Sequence, residues 1–151
     1  MSVAAVIVAG GSGLRAGGAK PKQYQLIGGK PVIRWTLEAF LWHPLVAHVQ
    51  AVIGEGHEDL FAEAARGLDV ARPVIGGNSR QESCRIGVEA CAPMKPTKVL
   101  IHDAARPFVA EDVISAVIAE LARADAVIPG LPVADTMKFA PGGFIEDKDL
   151  Y

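Results

Sequence analysis

Arg15, Lys20 and Lys22 stand in a stretch that also holds Gly10, Gly11, Gly13, Gly17 and Gly18, directly after an apolar run at residues 3–8. Glycine lets backbone N–H groups approach an anion with no Cβ in the way, and fixed cations neutralise what the amides cannot. Residues of these types in this order suit the holding of phosphate. Solvent-facing charge is the plainer reading of Arg15 and Lys22, but both flank glycines rather than a helix face.

Named phosphate motifs fit poorly. Gly11, Gly13 and Ala16 satisfy GxGxxA, yet a dinucleotide site also needs a helix starting in the loop and an acid about twenty residues on. Gly17, Gly18 and Pro21 break such a helix, and the first acid is Glu38, inside a helical pattern. Neither Lys22 nor Lys30 has the glycine spacing and following Ser or Thr of a Walker loop. The continuation KPKQY at residues 20–24 is basic and proline-punctuated, and is expected to act as a mobile flap over a polyphosphate.

Two further segments carry candidate chemistry. In GGNSRQES at residues 76–83, Gly76 and Gly77 bring bare backbone to a helix start whose free N–H groups can take an anion or polar group, with Arg80 and Ser83 in its first turns. A capped helix with a solvated arginine is the alternative. In DAARP at residues 103–107, Asp103 and Arg106 could form a local turn with an ion pair. Asp103 could equally hold a ribose hydroxyl or a Mg²⁺ ion riding on phosphates.

These loops need a scaffold that gathers them. Short β-branched runs at residues 3–8, 48–53, 72–75, 98–102 and 126–129 read as strands. Helical patterns alternate with them. Pro31 opens the first at N1, with a stripe of Ile33, Leu37, Phe40 and Leu41. Glu58 and Asp59 suit the first turn of the second, and Ser79 with Glu82 makes a capping box for the third. The fourth carries Val113, Ile114, Val117, Ile118 and Leu121 on one side. The expected fold is α/β, a mostly parallel sheet with helices on both faces, whose ligands bind beyond the carboxyl ends of the strands. The candidate loops follow three of those strands; GEGHED after Ile53 reads as an ordinary turn and cap.

Composition excludes several classes. The 151 residues suffice for one domain burying about 68–70% of its unfolded surface. No apolar run reaches the roughly 18 residues of a membrane span, and no secretory signal is visible, so a soluble cytoplasmic protein is expected. The formal net charge of −2 argues against broad nucleic-acid binding. Cys84 and Cys91 match neither CxxC nor a zinc spacing, and with Val88 they read as one buried helix face. The four histidines form no metal motif.

Five blocks in order, AGGSGLR (9–15), PKQY (21–24), GGNSRQES (76–83), HDAARP (102–107) and PVADTMK (132–138), resemble the 2-C-methyl-D-erythritol 4-phosphate cytidylyltransferase family. The resemblance implies a Rossmann-like nucleotidyltransferase fold and transfer of the cytidylyl group of CTP to a polyol phosphate with release of pyrophosphate. It implies a CTP loop at Ala9, Gly10, Gly11 and Gly13, with Arg15 and Lys22 as catalytic cations. Gly77, Asn78 and Ser83 would read cytosine, and Asp103 and Ala104 would meet the ribose. Arg106 and Thr136 would help hold the acceptor, and Asp103 is the candidate metal contact, with Mg²⁺ held mainly by the CTP phosphates. A homodimer through the arm around Thr136 is also implied, and some members carry a fused cyclodiphosphate synthase domain. The chemistry needs no general base, because the attacking phosphate is already ionised near neutral pH.

The family's domain continues beyond a position matching Tyr151, into a further substrate-binding lysine and a metal-associated aspartate. Asp147, followed by Lys148, stands where members usually have an arginine. The expectation for these 151 residues alone is CTP binding with little or no turnover. Residues 135–145 read as a hairpin around Pro-Gly-Gly, part of an arm from about residue 133. Rival readings are a cytidylyltransferase for another polyol phosphate such as ribitol 5-phosphate, a non-catalytic CTP-binding module, and, disfavoured by the missing acid, a dinucleotide-dependent dehydrogenase.

Overall fold

The computed structural model describes residues 2–10 and 20–132. Strand β1, Val3–Ala9, is followed by a 3-10 turn at Lys22–Tyr24 and a small antiparallel pair, β2 (Leu26–Ile27) and β3 (Lys30–Pro31). Helix α1 (Val32–Leu41), β4 (His48–Ile53), α2 (Glu58–Ala64), β5 (Val74–Ile75), α3 (Arg80–Ala90), β6 (Lys98–Asp103) and α4 (Glu111–Glu120) complete the order. The main sheet has four strands in the order β5-β4-β1-β6, all parallel.

Strand β1 is buried on both faces, which is why its sequence is a continuous apolar run. Val3, Ala5, Ile7 and Ala9 join a core with Ile33, Leu37 and Phe40 of α1, Phe61 of α2, and Ile114 and Ile118 of α4. The intervening Ala4 and Val6 turn the other way, onto Val52 and Cys91. The two-residue period of the strand thus divides the helices between the faces, with α3 packed on the second.

That second face is unusually close. A Cβ on Gly87 would overlap Val6 and meet Val52 Cγ2 at 2.7 Å, so α3 rests on the sheet through a missing side chain. The buried positions of α3 are Ser83 and Gly87, with Cys91 at its C-cap. The expected face of Cys84, Val88 and Cys91 is therefore corrected: Cys84 is half-buried and Val88 exposed. Close approach selects small residues over apolar ones.

Other local expectations need smaller adjustments. Pro31 is the N-cap of α1, one position before N1, with φ −55° and ψ 139°. Residues 126–129, expected as a strand, form no ladder, and Ile128 is 89% exposed. An apolar run becomes a strand only beside a pairing partner, and among the described residues none lies there. The expected hairpin at 135–145 falls outside the described residues.

Candidate active site

The first loop leaves β1 at Ala9. A Cβ on Gly10 would stand 3.3 Å from Ser83 Oγ, so this loop runs directly against the start of α3. Gly11, Gly13 and Arg15 lie outside the described residues, as does Thr136.

The chain returns at Lys20 into a tight turn. Tyr24 N–H donates to Pro21 O at 2.9 Å and Gln25 N–H to Lys22 O at 3.2 Å. Gln23 and Tyr24 are buried while Lys22 is exposed. The Tyr24 ring meets the His57 ring edge-on at 5.5 Å, and Gln23 Nε2 donates to Ala9 O at 2.8 Å. Of the expected flap, the end at KPKQY is anchored, while its glycine part lies outside the described residues. Lys22 is exposed and Lys20 half-buried, but the amide and ring that follow them are buried, and the amide's hydrogen bond and the ring's packing anchor the segment. Burial, helped by the negative charge of Glu58, pushes the Tyr24 hydroxyl above its ordinary pKa and keeps it neutral. GEGHED also does more than turn the chain, since its His57 supplies that contact.

The second loop follows β5. Gly76 N–H donates to Ile53 O at 2.8 Å, continuing the strand, and a Cβ there would meet Ser83 Oγ at 2.7 Å. Gly77 N–H donates to the buried Ser83 Oγ at 3.1 Å. Ser79 Oγ caps α3 by accepting from Glu82 N–H at 3.1 Å. Glu82 Oε2 in turn accepts from Asn78 N–H at 2.8 Å, closing the expected capping box one residue early. A Cβ on Gly77 would collide with the Glu82 side chain. Ser83 and Glu82 thus shape the backbone of Gly77 and Asn78.

The third loop follows β6. Ala104 N–H donates to Val8 O at 2.9 Å, and Ala104 O accepts from Thr36 Oγ1, fully buried in α1, at 2.9 Å. His102 Nε2 lies 2.9 Å from Arg106 O; a carbonyl can only accept, so Nε2 carries the proton. Asp103 holds two guanidiniums. Arg80 donates through Nε and Nη2 to Oδ1 at 3.2 and 2.9 Å, and Arg106 through Nε to Oδ2 at 3.1 Å.

Burial alone would raise the Asp103 pKa, but hydrogen bonds and charge from Arg80 and then Arg106 outweigh it and hold the carboxyl below the ordinary aspartate value. The Arg80 pKa is raised, chiefly by its bond to Asp103. With both oxygens engaged, Asp103 is a poor start for a resident metal site. Among the described residues no three His, Cys, Asp or Glu side chains form a metal-holding group.

The structure therefore gathers Ala9, Gly10, Gly77, Asn78, Ser83, Asp103, Ala104 and Arg106 on the segments at or just beyond the carboxyl ends of β1, β5 and β6, with Lys22 beside Gln23, whose amide reaches Ala9 O. Three residues outside the site roles assigned from the sequence support it: Gln23, Thr36 and Arg80. For Arg80 the sequence left open a solvated helix residue, although its place at the opening of a helix after two glycines marked it; nothing local marked the buried bonds of Gln23 and Thr36.

Parallel strands with helices on both faces and loops converging past the strand ends define an α/β fold of the nucleotidyltransferase type. The chain belongs to the 2-C-methyl-D-erythritol 4-phosphate cytidylyltransferase family, whose model matches residues 3–149. It is 49% identical over 144 residues to the bifunctional enzyme IspD/IspF of Rhodospirillum rubrum, covering 95% of this chain and 38% of that protein. The bifunctional enzyme of Bradyrhizobium diazoefficiens is likewise 49% identical, over 145 residues. The chain spans well under half the length of these curated relatives, 38% and 36%. Among solved structures, the 4-diphosphocytidyl-2C-methyl-D-erythritol synthase of Anaerococcus prevotii is similar with TM-score 0.76 and 27% identity, over 97% of this chain and 60% of that one. The bifunctional IspDF of Campylobacter jejuni shares the fold with TM-score 0.75 at 21% identity, over 92% of this chain and 36% of that one.

Proposed function

We propose that this chain supplies, within the full-length protein, the site that transfers the cytidylyl group of CTP to 2-C-methyl-D-erythritol 4-phosphate. An acceptor phosphate oxygen forms a bond to the α-phosphorus of CTP, and the bond from that phosphorus to the bridging oxygen of the β-phosphate breaks. Pyrophosphate leaves. The observation that carries the reading is the convergence of Ala9 and Gly10, the Gly77 to Ser83 turn, and Asp103 to Arg106 past the strand ends of a chain in this family.

Two anions must approach one another. Unit charges at 4 Å repel by about 4 kcal/mol at an effective dielectric of 20, so cations at the reacting phosphate lower the barrier directly. Lys22, exposed on an anchored turn, supplies one, and Arg15 is assigned the other. Gly77, Asn78 and Ser83 are assigned to the base, Asp103 and Ala104 to the ribose, and Gly10, Gly11 and Gly13 to the triphosphate. Arg106 keeps most of its guanidinium in solvent and is assigned, with Thr136, to the acceptor phosphate. Magnesium enters with CTP as part of the substrate.

A cytoplasmic homodimer exchanging the arm around Thr136 belongs to the same proposal. So does a fused cyclodiphosphate synthase domain, since the two curated relatives described above are named as bifunctional. No described helix is long and apolar enough to cross a membrane. Titration calorimetry with CTP and magnesium, then pyrophosphate release with methylerythritol phosphate and with ribitol 5-phosphate, tests the assignment on the full-length protein. Release with the first acceptor alone is expected. Release only with ribitol phosphate, or CTP binding with no release from either, overturns it.

A further inference from the structure

We propose that Gln23 is a positioning residue that sets Lys22 against the end of β1. Its side chain is 3% exposed, and its amide spans the glycine stretch by donating to Ala9 O at 2.8 Å. Filling that space would not require an amide. A buried polar group costs free energy unless bonded, so a glutamine here is best explained by the direction of its bond. Ala9 ends β1 and neighbours Gly10, which runs against Ser83, so the acceptor is fixed to the sheet and to the second loop together.

Lys22 is the adjacent residue, in a turn closed by the bonds from Tyr24 N–H to Pro21 O and from Gln25 N–H to Lys22 O. An exposed second staple, Gln25 Nε2 to Lys20 O at 3.2 Å, holds the turn's leading edge. The Lys22 backbone is thereby held one residue from a buried anchor while its ammonium stays outside. A flexible lysine gains most from such an anchor, because a displacement of about 1 Å at a reacting group can cost on the order of a hundredfold in rate.

The inference rests on the proposed role of Lys22, and its test separates the two. Gln23→Glu keeps the shape and, once ionised at the assay pH, offers no donor to Ala9 O. In the full-length protein it is expected to lower kcat by roughly tenfold to a hundredfold while the CTP dissociation constant moves by less than about threefold. Added to Lys22→Ala, it should lower kcat no further. An unchanged kcat, or losses that multiply fully in the double variant, would overturn the proposal. Hydrogen exchange at the Tyr24 and Gln25 amides should accelerate in Gln23→Glu whether or not the protein turns over; unchanged exchange also overturns it. If the unsubstituted protein shows no transfer, the functional reading fails while exchange still decides the clamp. Should Gln23→Glu not fold, Gln25→Ala at the exposed staple is expected to give the same faster exchange and a smaller kcat loss, and its absence counts against the proposal.

Discussion

Arg80 and Asp103 join the first turn of α3 to the last residue of β6, with Nη2 and Nε of the guanidinium 2.9 and 3.2 Å from one carboxylate oxygen. Among the described residues, the strand before Arg80, β5, lies on one edge of the sheet, and β6 lies on the other. A single ion pair therefore spans the mouth formed by the strand ends. Arg106 occupies the remaining oxygen, so a ribose hydroxyl reaching Asp103 must share it with two arginines.

Arg80→Gln should raise the Asp103 pKa toward the ordinary aspartate value, because the largest force pulling it down is removed while burial remains. Carboxyl chemical shifts followed through an acid titration measure this directly. The depressed folded value means that the pairs stabilise above the unfolded pKa, and that this stability is lost as pH falls through the folded one. Both arginines are more than half exposed, so the loss should not exceed about 1 kcal/mol. A larger acid-induced change would point to another carboxylate.

Lys22→Ala should lower kcat by about two orders of magnitude or more, the scale of losing one oxyanion donor, with a smaller effect on CTP affinity. Pyrophosphate release under saturating substrates measures it. An unchanged kcat would remove Lys22 from the reaction.

Ser83→Ala should weaken CTP binding and cost about 1 kcal/mol of stability, since Gly77 N–H loses its acceptor and the turn beside Gly10 loses its filler. Calorimetry and urea unfolding give the two numbers. Unaltered affinity would show that the Gly77 backbone keeps its shape without the hydroxyl.

Gly87→Ala should destabilise the fold by about 1–3 kcal/mol, because the new methyl meets Val6 and Val52 on a sheet that cannot retreat. A lower urea midpoint at constant slope is expected. Any gain in stability, as helix propensity alone would give, contradicts the close packing.

Thr36→Val keeps the volume but leaves the Ala104 carbonyl without its buried donor. A cost of about 1–3 kcal/mol is expected, with poorer nucleotide binding as the loop after β6 loosens. Equal stability and affinity would mean that Ala104 is held by other contacts.

Local chemistry was legible in the sequence wherever one stretch of chain decides the outcome. The apolar run of β1, the stripe of Ile33, Leu37 and Phe40, the cap at Ser79 and the glycines at Gly10, Gly76 and Gly77 are set by residue type and period, and each marks an element or its end. Tertiary structure alone decided the pairings across space. It buried Gly87 rather than Val88, left residues 126–129 without a ladder, anchored Gln23 and Tyr24 in what read as a flap, and turned Arg80 onto Asp103. The physical reason is that hydrophobic period and backbone propensity act over a few neighbouring residues. Hydrogen bonds, close helix contacts and ion pairs depend instead on which distant segments the sheet order brings together.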